Sequence, residues 1–159
     1  MPQLAKGGKF IFGLSGVSVK GTVAIPPQAM DEYKFREGDY IILMSGSRRS
    51  GGFGLTKRSI IEKSAIAGTV KDLPGLFSYR IPEAEVVSGR GRLFCWTTIK
   101  TGGCIEVPPE TLSRYGVKAG DRLAVGRGSY LSIAFIARGP ILHECRKHPE
   151  LQVFEVPGK

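Results

Sequence analysis

Apolar and polar residues alternate in short runs along the chain, and glycines or prolines separate the runs. The first apolar run extends from Phe10 to Val19 and ends at a glycine turn, after which apolar residues return at Val23 and Ile25. Alternation with a period of two on both sides of a glycine turn is typical of two strands joined by a tight turn. The pattern therefore predicts a β-hairpin at the start of the chain.

Two prolines, Pro26 and Pro27, follow this predicted hairpin. Proline cannot extend a central strand, but its fixed φ suits the first turn of a helix, so a short helix is predicted next. Gly38 and Asp39 then mark a turn into an apolar strand over residues 40–44, and a glycine-rich turn leads to one more strand. A second, longer helix is predicted to begin near Ser59.

The same unit occurs twice in the chain. The segment from Gly21 to Asp39 aligns without gaps on the segment from Gly103 to Asp121, at a displacement of 82 residues, and the Gly, Pro-Pro, Tyr and Gly-Asp positions are identical. Apolar residues also correspond, pairing Val23 with Ile105, Ile25 with Val107, Met30 with Leu112, Phe35 with Val117 and Ile41 with Leu123. A repeat that preserves both turns and core positions predicts that one supersecondary unit forms twice.

The second copy supplies its own helix signals. Its short helix is predicted over residues 110–115 and is expected to end at Gly116, because glycine readily takes the left-handed conformation that ends helices. The equivalent residue of the first copy is Lys34, which is a weaker stop signal. The longer helix of this copy is predicted to begin near Pro140.

The domain organisation follows from the repeat. The two repeats occupy residues 7–64 and 90–148, residues 65–89 form a spacer that is too apolar to be a free linker and is expected to pack on the rest, and residues 149–159 form a C-terminal tail. A few short strands bury only part of their apolar surface alone, so each half is expected to complete its core with the other. We therefore expect a mainly β fold with short helices, built as a pseudo-twofold, closed or nearly closed small β-barrel.

Charge indicates the class of partner. The chain has 23 Lys and Arg against 14 Asp and Glu, a net charge of +9. Residues 1–64 carry ten cations against five anions, and residues 90–145 carry eight against four, so the surplus belongs to the repeats. A surplus of this size favours a polyanionic partner, and nucleic acid is the leading class.

Other sequence features bear on a membrane partner, on the cellular location and on a metal site. No stretch approaches the ~18 to 20 apolar residues of a membrane span, so no membrane partner is expected. Three cysteines without a CxxC pair favour reduced thiols and a cytoplasmic location. His143, Cys145 and His148 offer zinc-ligand types, but only the last two share a helix face, so no metal site is predicted.

No catalytic residues are predicted either. Asp39 and Asp121 recur at equivalent places, but each follows a turn glycine, where backbone capping is the expected role of a carboxylate. The chain shows no set of nucleophile, base and orienting group, and no phosphate-binding loop with a GK[ST] ending. We therefore expect a protein that is not an enzyme and needs no cofactor.

The repeated segments resemble a known family. Gly21-Thr-Val-Ala-Ile-Pro followed by Phe35-Arg-Glu-Gly-Asp39, and Gly103-Cys-Ile-Glu-Val-Pro followed by Val117-Lys-Ala-Gly-Asp121, are similar to the AbrB/MazE/SpoVT swapped-hairpin family of prokaryotic DNA-binding regulators and antitoxins. Family members are dimers in which two chains interleave to build one barrel. The resemblance thus implies a swapped-hairpin or double-psi-like barrel that is a pseudo-dimer within one chain, with further homo-oligomerisation left open.

Charge and resemblance together predict a DNA-binding transcription regulator that binds duplex DNA through a basic face. The expected phosphate contacts come from residues in turns and at strand or helix ends, namely Lys20, Arg48, Arg49, Lys100, Arg114, Arg122 and Arg127. If about five contacts form, affinity should fall roughly 500-fold between about 50 and 200 mM salt.

Two alternatives remain open. The family's arginine after the hairpin glycine is replaced by Thr22 and Cys104, which favours a barrel without DNA binding that acts as an antitoxin-like module on a protein partner. The glycine-rich turns also permit a barrel that binds a small anionic ligand.

Overall fold

The computed structural model describes residues 10–64, 68, 73–128 and 132–156. Parts of all four predicted segments, 7–64, 65–89, 90–148 and 149–159, lie outside the described residues. Within the described ranges no helix is long and apolar enough to cross a membrane.

The fold is mainly β, with short helices. The first repeat contains β1 (Ile11–Gly16), β2 (Thr22–Ala24), α1 (Pro27–Tyr33), β3 (Tyr40–Ser45), β4 (Phe53–Thr56) and α2 (Arg58–Ile61). The segment between the repeats contributes α3 (Pro74–Phe77) and β5 (Val87–Gly89). The second repeat contains β6 (Arg92–Thr98), β7 (Cys104–Glu106), α4 (Pro109–Arg114), β8 (Arg122–Arg127), β9 (Ile133–Ile136) and α5 (Pro140–Cys145), and β10 (Val153–Phe154) follows.

The short helices begin and end where the sequence predicts. α1 and α4 both start at the second proline of their Pro-Pro pair. Lys34 and Gly116 occupy equivalent positions after the two helices, and both have positive φ, 58° and 76°. The other two helices begin near the predicted residues, at Arg58 and Pro140, but the prediction that they are longer is wrong, because α2 spans four residues and α5 six.

The two Gly-Asp turns are capped as predicted. The Asp39 carboxylate accepts a hydrogen bond from the Arg36 backbone N–H at 2.9 Å. The Asp121 carboxylate accepts the equivalent bond from Lys118, also at 2.9 Å. Each carboxylate thus satisfies a backbone donor at the turn before β3 or β8.

The strands of the two repeats interleave. The eight-stranded mixed sheet has the order β10-β1-β8-β9-β4-β3-β6-β5, and β2 and β7 form a separate two-stranded sheet. The first strand of each repeat therefore pairs with the third strand of the other, β1 with β8 and β6 with β3. The predicted β1–β2 hairpin is wrong in its pairing, because β2 pairs with β7 and a single bridge, Val17 to Val23, joins β1 to β2.

The pairing registers follow an approximate two-fold symmetry. Leu14 pairs with Ala124, and displacing both by 82 residues in opposite directions gives Trp96 and Ile42, which are also partners. Exchange of the repeats maps the pair Val23–Ile105 of β2 and β7 onto itself. The pair Gly54–Ala134 of β4 and β9 behaves the same way at a displacement of 80, because the second copy is two residues shorter before this strand.

One core serves both repeats. The apolar positions that match between the repeats are buried with at most 4% exposure, except for Met30, which is half-buried against the same cluster. Phe53 of β4 stacks on Phe135 of β9 with ring centroids 5.0 Å apart. Since the cluster draws on β1, β3, β6 and β8 alike, neither repeat buries its apolar face without the other.

The sheet does not close into the barrel that the sequence suggested. Its edges are β5 and β10, which are not paired with each other in the described structure. β5 comes from residues 65–89 and β10 from residues 149–159, and both are short, with three and two residues, which limits the exposed edge. The segment 65–89 also places Leu76, 1% exposed, in a second cluster with Ile42 and Phe94.

Candidate functional site

The seven cationic residues selected from the sequence fall into two groups. Three of them form ion pairs with carboxylates of the chain. Lys100 Nζ lies 3.4 Å from Glu83, and Arg122 Nη2 lies 3.9 Å from Glu155. Arg127 makes two hydrogen bonds to the Glu32 carboxylate, one of them from Nη2 at 2.8 Å, and its guanidinium lies 4.5 Å from the centre of the Phe10 ring.

These pairs compensate the charge of the three residues. A phosphate that approached Arg127, for example, would also approach the Glu32 carboxylate that is bound to it. The phosphate and the carboxylate would repel each other, because both are negative. The Glu83 carboxylate, which pairs with Lys100, also accepts hydrogen bonds from the Thr97 hydroxyl and from the Thr98 backbone N–H. Desolvation opposes these contacts, but they hold the pKa of Glu83 below its usual value, so it stays ionised.

The other four residues are Lys20, Arg48, Arg49 and Arg114. All four are exposed, and none has a carboxylate partner within the residues that the structure describes. Their charges therefore face solvent uncompensated, and they are the cations of the predicted set that are available to an external anion.

The structure brings these four residues to one helix. The β1–β2 turn that carries Lys20 is bonded to the chain entering α4, because the Val107 N–H donates to the Gly21 carbonyl at 2.9 Å. The β3–β4 turn that carries Arg48 and Arg49 is bonded to the other end, because the Gly52 N–H donates to the Tyr115 carbonyl at 2.8 Å. Arg114 is the last residue of α4 itself. We call the surface formed by Lys20, Arg48, Arg49 and Arg114 the α4 surface.

The spacing along the α4 surface suits a polyanion. α4 has six residues and is about 9 Å long. Lys20 is thus carried by a turn bonded to the start of this short helix, and Arg48 and Arg49 by a turn bonded to its end. Glu110, in the first turn of α4, is the acidic residue nearest in sequence, and the surface keeps a net positive charge.

The turn that carries Arg48 and Arg49 is held firmly. Within the turn, Gly46 N–H donates to the Gly52 carbonyl at 3.0 Å, and two backbone N–H groups that follow β9 donate to the Ser50 carbonyl at 2.9 Å. The Arg138 side chain donates to the Arg48 carbonyl from Nε at 3.2 Å and from Nη2 at 2.6 Å. A turn fixed from several sides presents its two arginines with a small ordering cost on binding.

The equivalent surface around α1 is different. The residues that correspond to Lys20 and Arg114 at a displacement of 82 are Gly102 and Glu32. α1 carries Asp31 beside Glu32, and the Glu37 carboxylate accepts a hydrogen bond from the Gly102 N–H at 2.8 Å. The two-fold arrangement of strands therefore carries an asymmetric charge distribution, basic around α4 and compensated around α1.

Thr22 and Cys104, the residues after Gly21 and Gly103, lie inside the protein. Thr22 is 2% exposed and Cys104 is 4% exposed. Both belong to the paired strands β2 and β7, next to the two-fold axis. A side chain at either position points away from solvent, which explains why small residues stand there.

Sequence reasoning missed two arginines, Arg92 and Arg138. Arg138 follows β9, and its Nη1 lies where a side chain on Gly51 or Gly116 would be, at 2.8 and 3.1 Å from the Cβ positions. The guanidinium therefore packs closely against both glycines. No sequence signal links residues this far apart; only the alignment of Arg138 with Arg58 in the other repeat marks the position.

The cysteines and histidines do not gather into a metal site. Burial raises the pKa of the Cys145 thiol to about 11, and His148 hydrogen-bonds the carboxylates of Glu150 and Glu144, which raise its pKa. In the ranges covered by the structure, no group of three His, Cys, Asp or Glu side chains is placed to hold a metal ion.

Cys95 lies in the core beside a tyrosine. The Tyr115 hydroxyl lies 3.3 Å from Cys95 Sγ, and burial raises the pKa of this thiol to about 11 as well.

Comparison of the chain with protein-family models, with curated proteins and with solved structures found no match. The α4 surface and the strand pairing between the repeats are therefore the observations from which a function is inferred.

Proposed function

We propose that this protein is an AbrB-like DNA-binding transcription regulator, a swapped-hairpin pseudo-dimer in one chain that contacts duplex DNA through the α4 surface. Two observations support the proposal. The first strand of each repeat pairs with the third strand of the other, as expected for two interleaved subunits. Four cations without carboxylate partners lie on turns and helix ends that meet at α4.

The second observation carries the proposal. Each phosphate neutralised by a lysine or arginine releases condensed counterions, and this release supplies most of the free energy of non-specific DNA binding. Arg48 and Arg49 are adjacent on a turn that is fixed by backbone bonds to β9 and to Tyr115. Their guanidinium groups therefore meet the duplex without first having to order the turn.

The proposed contacts orient the protein on DNA and do not read sequence. Arginine and lysine contacts to phosphate fix register, whereas base edges in the grooves carry sequence information. We therefore expect the α4 surface to give measurable binding to any duplex at low salt.

The test is duplex binding followed by fluorescence anisotropy at about 50 mM salt, where non-specific electrostatic binding is strong. We expect Arg48→Ala with Arg49→Ala to weaken binding at least about tenfold, because two charge-assisted contacts are lost and about 1.4 kcal/mol corresponds to a factor of ten. Both side chains are exposed, and the Arg48 carbonyl that Arg138 holds remains in the variant.

The matched control is Arg80→Ala with Arg146→Ala. It removes the same charge from two exposed residues, one after α3 and one after α5, outside the α4 surface. Its affinity should stay close to that of the wild type. Equal weakening by both double variants would mean that net charge acts without a specific surface, and no binding by the wild type would leave the protein-interaction alternative.

A further inference from the structure

A cavity of about 580 Å³ lies beside the β3–β4 turn. Its walls come from both repeats, with the turn on one side, the first residue of β6 on another, and β9 with the start of α5 opposite. A cavity of several hundred cubic ångströms is the size that small-molecule ligands occupy in proteins. Of the cations in the proposed DNA contact, Arg49 lines this cavity.

The rim of the cavity is basic. Arg49, Arg92 and Arg138 line it, and none of the three has a carboxylate partner among the described residues. One acidic residue, Glu144, also lines the cavity, but its carboxylate lies 3.3 Å from His148 and 3.9 Å from Lys147. The balance of charge around the opening is positive.

Arg138 is pre-oriented at this rim. Its Nε and Nη2 are bound to the Arg48 carbonyl, and its Nη1 makes no hydrogen bond within the described chain. A guanidinium held by two of its nitrogens keeps its remaining donors in a fixed direction, and such donors suit the oxygens of a carboxylate or a phosphate.

The floor of the cavity is apolar. It is formed by side chains from β1, β3, β9 and α5, namely Ile11, Met44, Ala134, Ile136 and Ile141. Gly54 lies in this floor on the two-fold axis, and the absence of a side chain there makes room for the Ser132 side chain. An apolar body would exchange water for these side chains on binding.

Ser132 adds a hydroxyl to the lining of the cavity. The residue is 9% exposed, and its Oγ atom lies 2.9 Å from where a Cβ on Gly54 would stand. A serine hydroxyl both donates and accepts hydrogen bonds, so it can pair with a polar atom of a bound ligand.

We propose that this cavity binds a small amphipathic anion, with a carboxylate or phosphate head on the arginines of the rim and an apolar body on the floor. The proposal does not depend on DNA binding, since the cavity shares Arg49 with the α4 surface but Arg92 and Arg138 lie outside that surface. It gives chemical content to the anionic-ligand alternative that the glycine turns left open.

The test is isothermal titration calorimetry with four probes on the full chain. Phenyl phosphate and 4-phenylbutyrate carry the two kinds of head, 4-phenylbutanamide is the neutral analogue, and inorganic phosphate is a head without an apolar body. We expect one or both amphipathic anions to bind, each more tightly than the two controls. Binding by one and not the other identifies which head the site takes.

Two variants locate the site. Arg92→Gln should weaken binding of the anion about tenfold, since one charge-assisted contact is lost, while Arg90→Gln, two residues away and outside the cavity lining, should not change it. Ala134→Leu, which places a larger side chain on the floor, should abolish binding. The proposal is overturned if neither amphipathic anion binds at millimolar concentration, if the neutral amide binds as well, or if Arg92→Gln behaves like Arg90→Gln.

Discussion

Interleaving of the repeats predicts that damage to one repeat destabilises both. Ile41 in β3 and Leu123 in β8 are equivalent residues, each 0% exposed in the shared core. Ile41 lies opposite Thr97 of the second repeat, and Leu123 lies opposite Ser15 of the first. Replacing either by alanine therefore leaves a cavity between strands that belong to different repeats.

The size of the effect follows from core substitutions in general. Removing a buried Ile or Leu side chain costs about 2 to 5 kcal/mol, against a total stability of about 5 to 15 kcal/mol for a domain. With a denaturant dependence of about 2 kcal/mol per molar urea, the midpoint of unfolding should fall by roughly 1 to 2.5 M in each variant.

The assay is urea unfolding followed by two probes. Trp96 is the single tryptophan and lies in β6 of the second repeat, so its fluorescence reports on that repeat, whereas far-UV circular dichroism reports on the whole chain. We expect coincident single transitions for the wild type, Ile41→Ala and Leu123→Ala. Val19→Ala, at a residue that is 80% exposed, is the control and should leave the midpoint unchanged.

The result that would refute the interleaving is a separation of the two repeats. If Ile41→Ala moved the circular dichroism transition but not the Trp96 transition, or if either variant unfolded in two steps, the repeats would be independent units. The pairing of β1 with β8 and of β3 with β6 would then not hold the molecule together in solution.

Three further predictions follow from individual contacts. With four phosphate contacts on the α4 surface, the slope of log K against log salt should be about −3.6, which is a loss of affinity of roughly 150-fold between about 50 and 200 mM salt. Arg48→Ala with Arg49→Ala should halve this slope, and an unchanged slope contradicts the assignment. Gly52→Ala should lower the thermal midpoint more than Gly38→Ala, because both glycines have positive φ but a Cβ at Gly52 would stand 1.9 Å from the Phe135 carbonyl oxygen, whereas nothing lies within 4 Å at Gly38. Burial raises the pKa of Cys95 and Cys145 to about 11, and Cys104 is also buried. A thiol reagent at pH 8 should therefore react slowly with the native protein, and after denaturation it should react with all three thiols. Rapid reaction of the native protein would show that the core is open.

Local signals made the elements of this fold predictable. Pro-Pro pairs, turn glycines and Gly-Asp pairs act on the residues next to them, so the starts of α1 and α4 and the caps by Asp39 and Asp121 follow from the sequence. Strand partners are a different matter. An apolar strand fits any neighbour with the same alternation, and the choice of β8 over β2 as the partner of β1 depends on residues more than one hundred positions away.

The candidate site shows the same division. The sequence shows that turns and strand ends carry the cations. It does not show which of these cations form ion pairs with carboxylates of the chain. Glu32 and Arg127 are 95 residues apart, and their pairing depends on how the two repeats meet. The Arg138 guanidinium likewise packs against two glycines that are distant in the sequence, Gly51 and Gly116. Long-range ion pairs and tight contacts thus decide which predicted cations are available.

The fusion of two repeats gives this protein a freedom that a homodimer lacks. In a two-fold dimer of identical chains every substitution occurs twice, so the two halves of a DNA-contacting surface stay alike. The DNA sites that such dimers bind are correspondingly palindromic. Here the position of Arg114 in one half is Glu32 in the other, and that of Lys20 is Gly102. The strand registers keep the symmetry because the shared core requires it, whereas the surface has diverged. If the α4 surface binds duplex DNA, one half of the molecule makes the contacts, and we expect any preferred site to be a single, non-palindromic segment.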